Sequence, residues 1–261
     1  MIIGSTTLHV DGSAAMPDEK EVKSIVSLKE TNRDLKVFLT LLAPSRIMSA
    51  LVLNKRLSEE YVANVTNYLI ENDVDGFDID WEFPSWGKDS KPTDRDGLSN
   101  LLRLLRNSFD STPKQLSLSL AVSSPFTITK KAYADFIQIM NYDFHFFSRS
   151  TPFTGLNAPL FPLKYEFMIL EKLNSVCEAL RSKEYTAEWS ASAKSPYFHG
   201  HNQWISHENV ESVSIKGNHA NTMGVRGIMI YDLSSDDFEG KCGFGVKYPL
   251  IRAAKKSFLQ I

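Results

Sequence analysis

The segment 75–82, which reads Asp-Gly-Phe-Asp-Ile-Asp-Trp-Glu, constrains the fold more than any other part of the chain. Its apolar and acidic residues alternate: Phe77, Ile79 and Trp81 against Asp78, Asp80 and Glu82. Successive side chains of a β-strand point to opposite faces, so this period of two predicts a strand with one apolar and one acidic face. A sandwich requires an apolar inner face. The pattern therefore favours a barrel, in which the apolar face meets covering helices and the acids face the interior.

The acidic face of this strand is the candidate site of chemistry. Residues two apart along a strand lie roughly 6.5 to 7 Å from each other, so Asp78, Asp80 and Glu82 should form a column that climbs to the barrel rim. Active sites of (β/α)8 barrels lie at the C-terminal ends of the strands, and Pro84 marks the end of this one. Crowded carboxyl groups raise one another's pKa, and we expect Glu82 to be the protonated group.

Two alternative roles for the acids stay open. Clustered carboxylates bind Mg²⁺ or Ca²⁺, which makes a metal-dependent hydrolase an alternative. A solvated edge strand with charges facing water is the second, although its apolar spacers require a covered face. Only Cys177 and Cys242 occur, with no cysteine and histidine cluster, which argues against structural zinc. We expect no metal and no cofactor, and the pairing of the two cysteines cannot be read from the sequence.

Three segments resemble signature sequences of glycoside hydrolase family 18, the chitinases and chitinase-like proteins. Segment 75–82 is similar to the family's DGxDxDWE motif. Segment 136–145 resembles its sixth barrel strand, which carries a Met-x-Tyr-Asp sequence, and segment 227–238 resembles its eighth strand. The resemblance implies a (β/α)8 TIM barrel that hydrolyses β-1,4-linked N-acetylglucosamine polymers by a substrate-assisted, retaining mechanism.

The resemblance also implies a role for each residue of the site. Glu82 protonates the glycosidic oxygen as general acid and base, while the N-acetyl carbonyl of the sugar attacks its own anomeric carbon. Asp80 orients the acetamido group, Asp78 exchanges a proton with Asp80, and Tyr142 donates a hydrogen bond to the acetamido oxygen. The expected substrate-binding residues are Met140, Asp143, Tyr231 and Trp81. Asp75 is expected to brace the start of the strand as a buried partner of a backbone N–H.

The resemblance is interrupted in ways that bear on the fold. The family's first strand has no counterpart, no seventh strand is visible between Leu160 and Trp189, and most of the inserted α+β subdomain is missing. The pattern indicates strands at 36–43, 75–82, 116–123, 136–142 and 225–231, and a weak one at 2–10. Six strands are too few for an eight-stranded barrel. We expect a single domain over residues 1–261, with an incomplete or distorted TIM-barrel-derived α/β fold.

Helical patterns fall between these strands. Residues 58–70 and 96–109 carry apolar side chains at helical spacing, and each segment precedes a predicted strand. Alternating strands and helices give a parallel sheet with right-handed crossovers.

Charge and hydropathy limit the partners. The chain has 29 basic and 31 acidic residues, evenly mixed, so no field gathers polyanions and we expect no nucleic acid. No apolar run of membrane-spanning length occurs, and we expect no membrane. The expected partner is chitin or a chitooligosaccharide. Proteins of the resembled family are usually secreted, which implies an extracellular location, although the sequence starts without a signal-peptide pattern.

Two functions compete on these observations. The intact acidic column and Tyr142 favour a chitin hydrolase. The missing strands favour a chitinase-like protein that binds chitin or chitooligosaccharides without turnover.

Overall fold

The computed structural model describes most of the chain as two compact units, Met1–Met140 and Asn141–Ile261. The described residues are 1–8, 14–86, 89–123, 133–145, 154–161, 182, 184–201, 203–242 and 244–261. The expectation of one domain over residues 1–261 stays a prediction, and each unit is described by itself.

The first unit is built on a six-stranded sheet with the order β2-β1-β3-β4-β5-β6. Its strands are β1 (Ile2–Leu8), β2 (Ala14–Ala15), β3 (Phe38–Leu42), β4 (Gly76–Asp80), β5 (Ser117–Ser123) and β6 (Phe136–Met140). From β1 through β3, β4, β5 and β6 every pairing is parallel, whereas β2 is antiparallel to β1. The strands predicted at 36–43, 75–82, 116–123 and 136–142 are therefore confirmed, and the weak one at 2–10 is β1.

Four α-helices connect these strands. They are α1 (Glu19–Val26), α2 (Ser45–Leu53), α3 (Lys55–Glu71) and α4 (Asp94–Asp110), and a short 3₁₀ helix, Ser27–Glu30, follows α1. Side chains fix two of the starts, since Asp18 accepts from backbone N–H groups of α1 and Asn54 accepts from the Leu57 N–H of α3. Helices α3 and α4 confirm the two predicted helices.

The core of the first unit lies between the sheet and these helices. Phe77 and Ile79 of β4 are fully buried in it, together with aliphatic residues of β3, β5 and the helices α2, α3 and α4. The rings of Tyr61 and Phe77 meet edge to face with centroids 6.4 Å apart. The apolar face of β4 is therefore the helix-covered face, as its alternation predicts.

The parallel sheet does not close into a barrel within the described part of the chain. It ends at β2 and β1 on one side and at β6 on the other. The strand predicted at 225–231 is wrong, because the structure has no strand over these residues. The reason is that strand propensity is local, whereas a strand exists only where a neighbouring backbone pairs with it.

The second unit contains a three-stranded antiparallel sheet. Its strands are β7 (Thr186–Ser190), β8 (Ser195–Gly200) and β9 (Gln203–Ser206), in the order β7-β8-β9. Two helices, α5 (Val210–Thr222) and α6 (Pro249–Leu259), pack against each other, with a 3₁₀ helix, Leu233–Ser235, between them. No strand is predicted over residues 186–206, and the three strands found there correct that expectation. Cys242 is disulfide-bonded, and Cys177 lies outside the described residues.

Candidate active site

Alternate side chains of β4 lie in two different environments, the apolar core and the acidic face. Phe77, Ile79 and Trp81 are at most 2% exposed in the core. On the other face exposure rises along the chain: Asp78 is 2% exposed, Asp80 is half-buried and Glu82, just beyond the strand, is exposed. The gradient places the acid with the best access to a ligand at the C-terminal end of a parallel strand, which is where barrel enzymes carry their sites.

Asp78 is held by donors from three other strands of the sheet. The Thr40 hydroxyl of β3 donates to Oδ2 at 3.0 Å. The Ser119 hydroxyl of β5 and the Gln138 amide of β6 donate to Oδ1 at 2.5 and 2.8 Å. Burial raises the pKa of Asp78, while these hydrogen bonds lower it again.

Asp80 is the carboxyl with the most perturbed ionisation. Burial raises the pKa of Asp80 to about 7, and the charges of Glu82 and Asp78 add to the effect. Its Oδ1 atom is buried and has no hydrogen-bond partner among the described residues. One carboxyl of the column therefore has a raised pKa, as expected, but burial is a larger cause than the crowding of charges. The further expectation that Glu82 is the protonated group stays a prediction.

The loop after Glu82 is anchored to the start of α4. The backbone N–H groups of Lys91 and Ser85 donate to Asp94 Oδ2 at 2.7 and 3.4 Å, and Asp94 is fully buried. The Glu82–Phe83 peptide bond is cis. The Trp86 ring is 70% exposed and lies 5.9 Å from the Phe83 ring. The loop therefore presents an open aromatic surface four residues after the exposed acid.

Asp75 braces the start of β4, as expected. Its Oδ2 accepts from the Val37 N–H at 2.9 Å, and the ammonium groups of Lys29 and Lys36 lie 3.0 and 3.7 Å from its carboxylate. These contacts link β4 to the chain that enters β3. Asp75 therefore has a structural role at the end of the strand opposite to Glu82.

Two of the expected substrate contacts are buried residues of the first unit. Trp81 lies in the core, and its indole N–H donates to the Ser45 hydroxyl at the start of α2 at 3.0 Å. Met140 is buried at the end of β6, in register with Ser123. Little of either side chain is offered to solvent, and their contact with a sugar stays a prediction.

The remaining expected residues lie in the second unit. The rings of Tyr142 and Tyr231 stack with centroids 5.9 Å apart at 16°, and the Tyr142 hydroxyl lies 4.0 Å from Met229 Sδ. Tyr231 is 74% exposed. Asp143 is exposed with a positive φ of 58°, and partial burial raises its pKa. The structure brings the two tyrosines together, and the roles of all three residues stay predictions.

Sequence reasoning missed Thr40, Ser119 and Gln138, which form the surroundings of Asp78. Each is a single polar residue between two aliphatic neighbours in a strand: Leu-Thr-Leu, Leu-Ser-Leu and Ile-Gln-Ile. A lone polar side chain at a buried strand centre needs a hydrogen-bond partner. That pattern, repeated on three strands beside an acidic one, is the signal that indicates a shared polar network.

Metal binding and membrane insertion find no support in the part of the chain that the structure describes. No three histidine, cysteine, aspartate or glutamate side chains among these residues are arranged to hold a metal ion. None of the described helices combines the length and apolarity needed to cross a membrane.

Comparison with known proteins shows that the chain is similar to chitinases in sequence and in fold. The chain is 25% identical to mouse chitotriosidase-1 over 92% of its own length and 67% of that protein. It spans 12% and 57% of the lengths of two further curated chitinases. It superposes on the Group IV chitinase of Ostrinia furnacalis in complex with allosamidin with a TM-score of 0.87, at 23% identity, covering 99% of this chain and 90% of that one.

A second solved structure carries the same fold with a different stated property. Human YKL-39, described as a pseudo-chitinase with retained chitooligosaccharide binding, matches at 19% identity with a TM-score of 0.82, over 98% of this chain and 90% of that one. These likenesses confirm the expected TIM-barrel-derived α/β fold. The model of the family described as glycosyl hydrolases family 18 matches residues 4–175 and 163–236. Because these matches take in most of the chain and include the acidic strand, the chain belongs to glycosyl hydrolases family 18.

Proposed function

We propose that this protein hydrolyses β-1,4-linked N-acetylglucosamine polymers such as chitin, with Glu82 as the general acid and base. The observation that carries the proposal is the graded acidic face of β4, from buried Asp78 through half-buried Asp80 to exposed Glu82. Membership of the family and the likeness to an allosamidin-bound chitinase support the substrate class. Secretion is usual for such proteins, and an extracellular site of action is part of the proposal.

The proposed mechanism is substrate-assisted and retaining. Glu82 donates its proton to the glycosidic oxygen as the bond to the leaving sugar breaks, and the acetamido oxygen of the substrate bonds to the anomeric carbon. Water then attacks the anomeric carbon, the bond from that carbon to the acetamido oxygen breaks, and Glu82 takes a proton from the water. Asp80, with a pKa of about 7, can hold a proton toward the acetamido group or release it as charge develops. Asp78 supplies the neighbouring negative charge.

The other residues enter the proposal through the family pattern. Tyr142 is proposed to donate to the acetamido oxygen, and the proposed substrate contacts are Met140, Asp143 and Tyr231. Exposed Tyr231 and its stacking with Tyr142 support an aromatic contact. Burial of Trp81 favours a supporting role under the acidic face over direct stacking on a sugar.

Hydrolysis of a fluorogenic chitooligosaccharide tests the proposal. We expect turnover by the natural chain and a loss of about a hundredfold or more in kcat for Glu82→Gln, because a general acid contributes on this scale. Glu71→Gln, an exposed change at the end of α3, is the matched control and should keep full activity. EDTA should not reduce the rate. Equal rates for the Glu82→Gln variant and the natural chain would refute the assignment of the acid.

A binding protein without turnover is the second candidate. The sheet that does not close within the described residues favours it, as does the likeness to YKL-39. Calorimetric binding of a chitooligosaccharide to the natural chain and to Glu82→Gln, with no product formed by either, is the result that this alternative requires. The same two proteins therefore distinguish an enzyme from a lectin-like protein.

A further inference from the structure

The two carboxyls of β4, buried Asp78 and half-buried Asp80, have different neighbours on the adjoining strands. In register with Asp78 stand Thr40 on β3 and Ser119 on β5, whereas in register with Asp80 stand Leu42 and Ala121. Asp78 therefore lies in a row of hydroxyl donors. Asp80 has one aliphatic side chain beside it on each neighbouring strand, and neither can donate a hydrogen bond. Further along the same row stands Gln138, whose amide nitrogen is bonded to Asp78.

Gln138 reaches Asp78 diagonally from one strand further away, because its own partner in register on β5 is Ala121, in the row of Asp80. Its Nε2 lies 2.8 Å from Asp78 Oδ1 and 3.4 Å from Ser119 Oγ. The amide nitrogen, and not the oxygen, must face a carboxylate, because two acceptors repel. A hydroxyl has one proton, so when Ser119 Oγ accepts from Gln138, its own proton is directed to Asp78. The amide thus orients the serine as well as bonding the acid.

This network favours an ionised Asp78. An ionised carboxylate only accepts, and three neutral donors on two oxygens satisfy it. A protonated Asp78 would need an acceptor, so a hydroxyl would have to turn its own proton away or the Gln138 amide would have to flip, and a donor to Asp78 would be lost. The charges nearest to Asp80 belong to Asp78 and Glu82 of its own strand. The groups of β3, β5 and β6 that contact Asp78 are all uncharged. No described residue of these three strands is a cation that could form an ion pair with Asp78 or Asp80.

We propose that Gln138 is a positioning residue which, together with Ser119 and Thr40, keeps the single proton of the Asp78 and Asp80 pair on Asp80. The proposal rests on the proposed function, because the location of this proton affects turnover only if Asp80 and Glu82 act on a substrate. The structural support is the donor row on Asp78 and the buried Oδ1 of Asp80, which has no hydrogen-bond partner among the described residues.

Loss of the Gln138 donor should relocate the proton. In Gln138→Met the side chain keeps a similar length but carries no N–H, and Ser119 loses the bond that orients it. The O–H bond at Asp80 then breaks and an O–H bond at Asp78 forms, with no change in the total number of protons. Asp80 becomes the ionised group and can no longer present a proton to an acetamido group.

Carbon-13 NMR of the side-chain carboxyls in the full chain tests this directly. Samples with labelled aspartate, assigned with Asp78→Asn and Asp80→Asn, are titrated with pH. In the natural chain we expect Asp80 to keep its proton to a higher pH than Asp78. In Gln138→Met the midpoint of Asp78 should rise by about one pH unit or more, as loss of a hydrogen bond to a charged group predicts.

Two further variants make the result specific. Ile139→Met puts the same new side chain on the adjacent, exposed position of β6 and should leave both titrations unchanged. Ser119→Ala removes a second donor with a smaller change in volume and should move Asp78 in the same direction. Unchanged titrations in both Gln138→Met and Ser119→Ala would overturn the proposal.

Turnover is measured beside the titrations, so that the two proposals fail separately. If the natural chain turns over substrate, Gln138→Met should lower kcat more than KM changes and should shift the pH profile, effects that a purely structural role would not produce. A chain without turnover that shows the expected titrations would sink the proposed function and leave the proton assignment standing. If the natural chain turns over substrate but Gln138→Met leaves the titrations of Asp78 and Asp80 unchanged, the proposed function stands and the proton assignment fails.

Discussion

At the scale of single residues, the two buried acids of β4 differ because of what faces them. Asp78 is the more deeply buried, yet three donors offset the cost of burying its charge. Asp80 is less buried, and its pKa still rises to about 7, because aliphatic neighbours and two negative charges surround it. Burial raises the pKa of both acids, and hydrogen bonds oppose this effect only at Asp78.

Asp80→Asn should stabilise the protein at alkaline pH. The folded-state pKa of Asp80 is raised, so the unfolded chain loses this proton first, and stability is lost as pH rises from about 4 to about 7. Asparagine cannot ionise, so the variant does not lose this stability as the pH rises. Each pKa unit is worth about 1.4 kcal/mol, and solvent screening of a half-buried group reduces the sum, so we expect a gain of about 2 kcal/mol near pH 8.

Urea unfolding of Asp80→Asn and the natural chain across the pH range measures this gain. The difference should shrink as pH falls and vanish below about pH 4, where both forms are neutral. A gain that is the same at acid and alkaline pH would show that ionisation of Asp80 is not its cause.

Trp86→Ala should weaken substrate binding without affecting the fold. The ring is mostly exposed, so its removal costs the core nothing, whereas loss of an aromatic platform for a sugar should raise KM about fivefold to tenfold. Steady-state kinetics measure this, or direct binding if the chain lacks turnover. Leu28→Ala removes an exposed apolar side chain from the 3₁₀ helix after α1 and should leave KM unchanged.

At the scale of elements, the close packing of β4 between its neighbouring strands depends on its first residue, Gly76. A Cβ at Gly76 would lie 2.4 Å from Phe38 Cε1 and 2.5 Å from the Ser117 carbonyl oxygen. Neighbouring strands therefore leave no room for a side chain here. Asp75, one residue earlier, ties the same strand end to Val37.

Gly76→Ala should destabilise the first unit. Overpacking against a ring and a backbone oxygen should lower the free energy of unfolding by about 2 kcal/mol, measured by urea denaturation. Gly227→Ala is the matched control, because no atom lies within 4 Å of the Cβ that it would add. Equal losses in the two variants would show that crowding at Gly76 is not the cause.

At the scale of the whole molecule, the parallel sheet of the first unit keeps open edges in the described residues. The outer strand β6 pairs only with β5 there, and Ile139 on it is 47% exposed. Unpaired strand edges invite pairing with other chains, and a lysine on the edge opposes it. The balanced charge of the chain provides little long-range repulsion between copies.

Ile139→Lys should therefore reduce self-association. Sedimentation of the natural chain at rising concentration is expected to show a growing oligomer fraction, and the variant should stay monodisperse over the same range. Ile139→Met serves as the control that keeps the apolar edge. If the natural chain sediments as a single monomeric species throughout, the edge of β6 is not available for pairing.

The sequence by itself determined the features that depend on local pattern. Alternation over residues 75–82 predicted the acidic strand, helical spacing predicted α3 and α4, and the motif predicted the family. Each of these is encoded within a short stretch, because side-chain periodicity follows backbone geometry. The same local propensity failed at 225–231 and over 186–206, where partner strands decide whether pairing occurs.

Only the tertiary structure decided the electrostatics of the candidate site. The donors to Asp78 come from positions 40, 119 and 138, and no local pattern states that three strands will bring them to one carboxylate. Nor does it state that Leu42 and Ala121 will flank Asp80 and raise its pKa. Register across neighbouring strands and removal from water are properties of the assembled sheet, and these set the pKa shifts of the two acids.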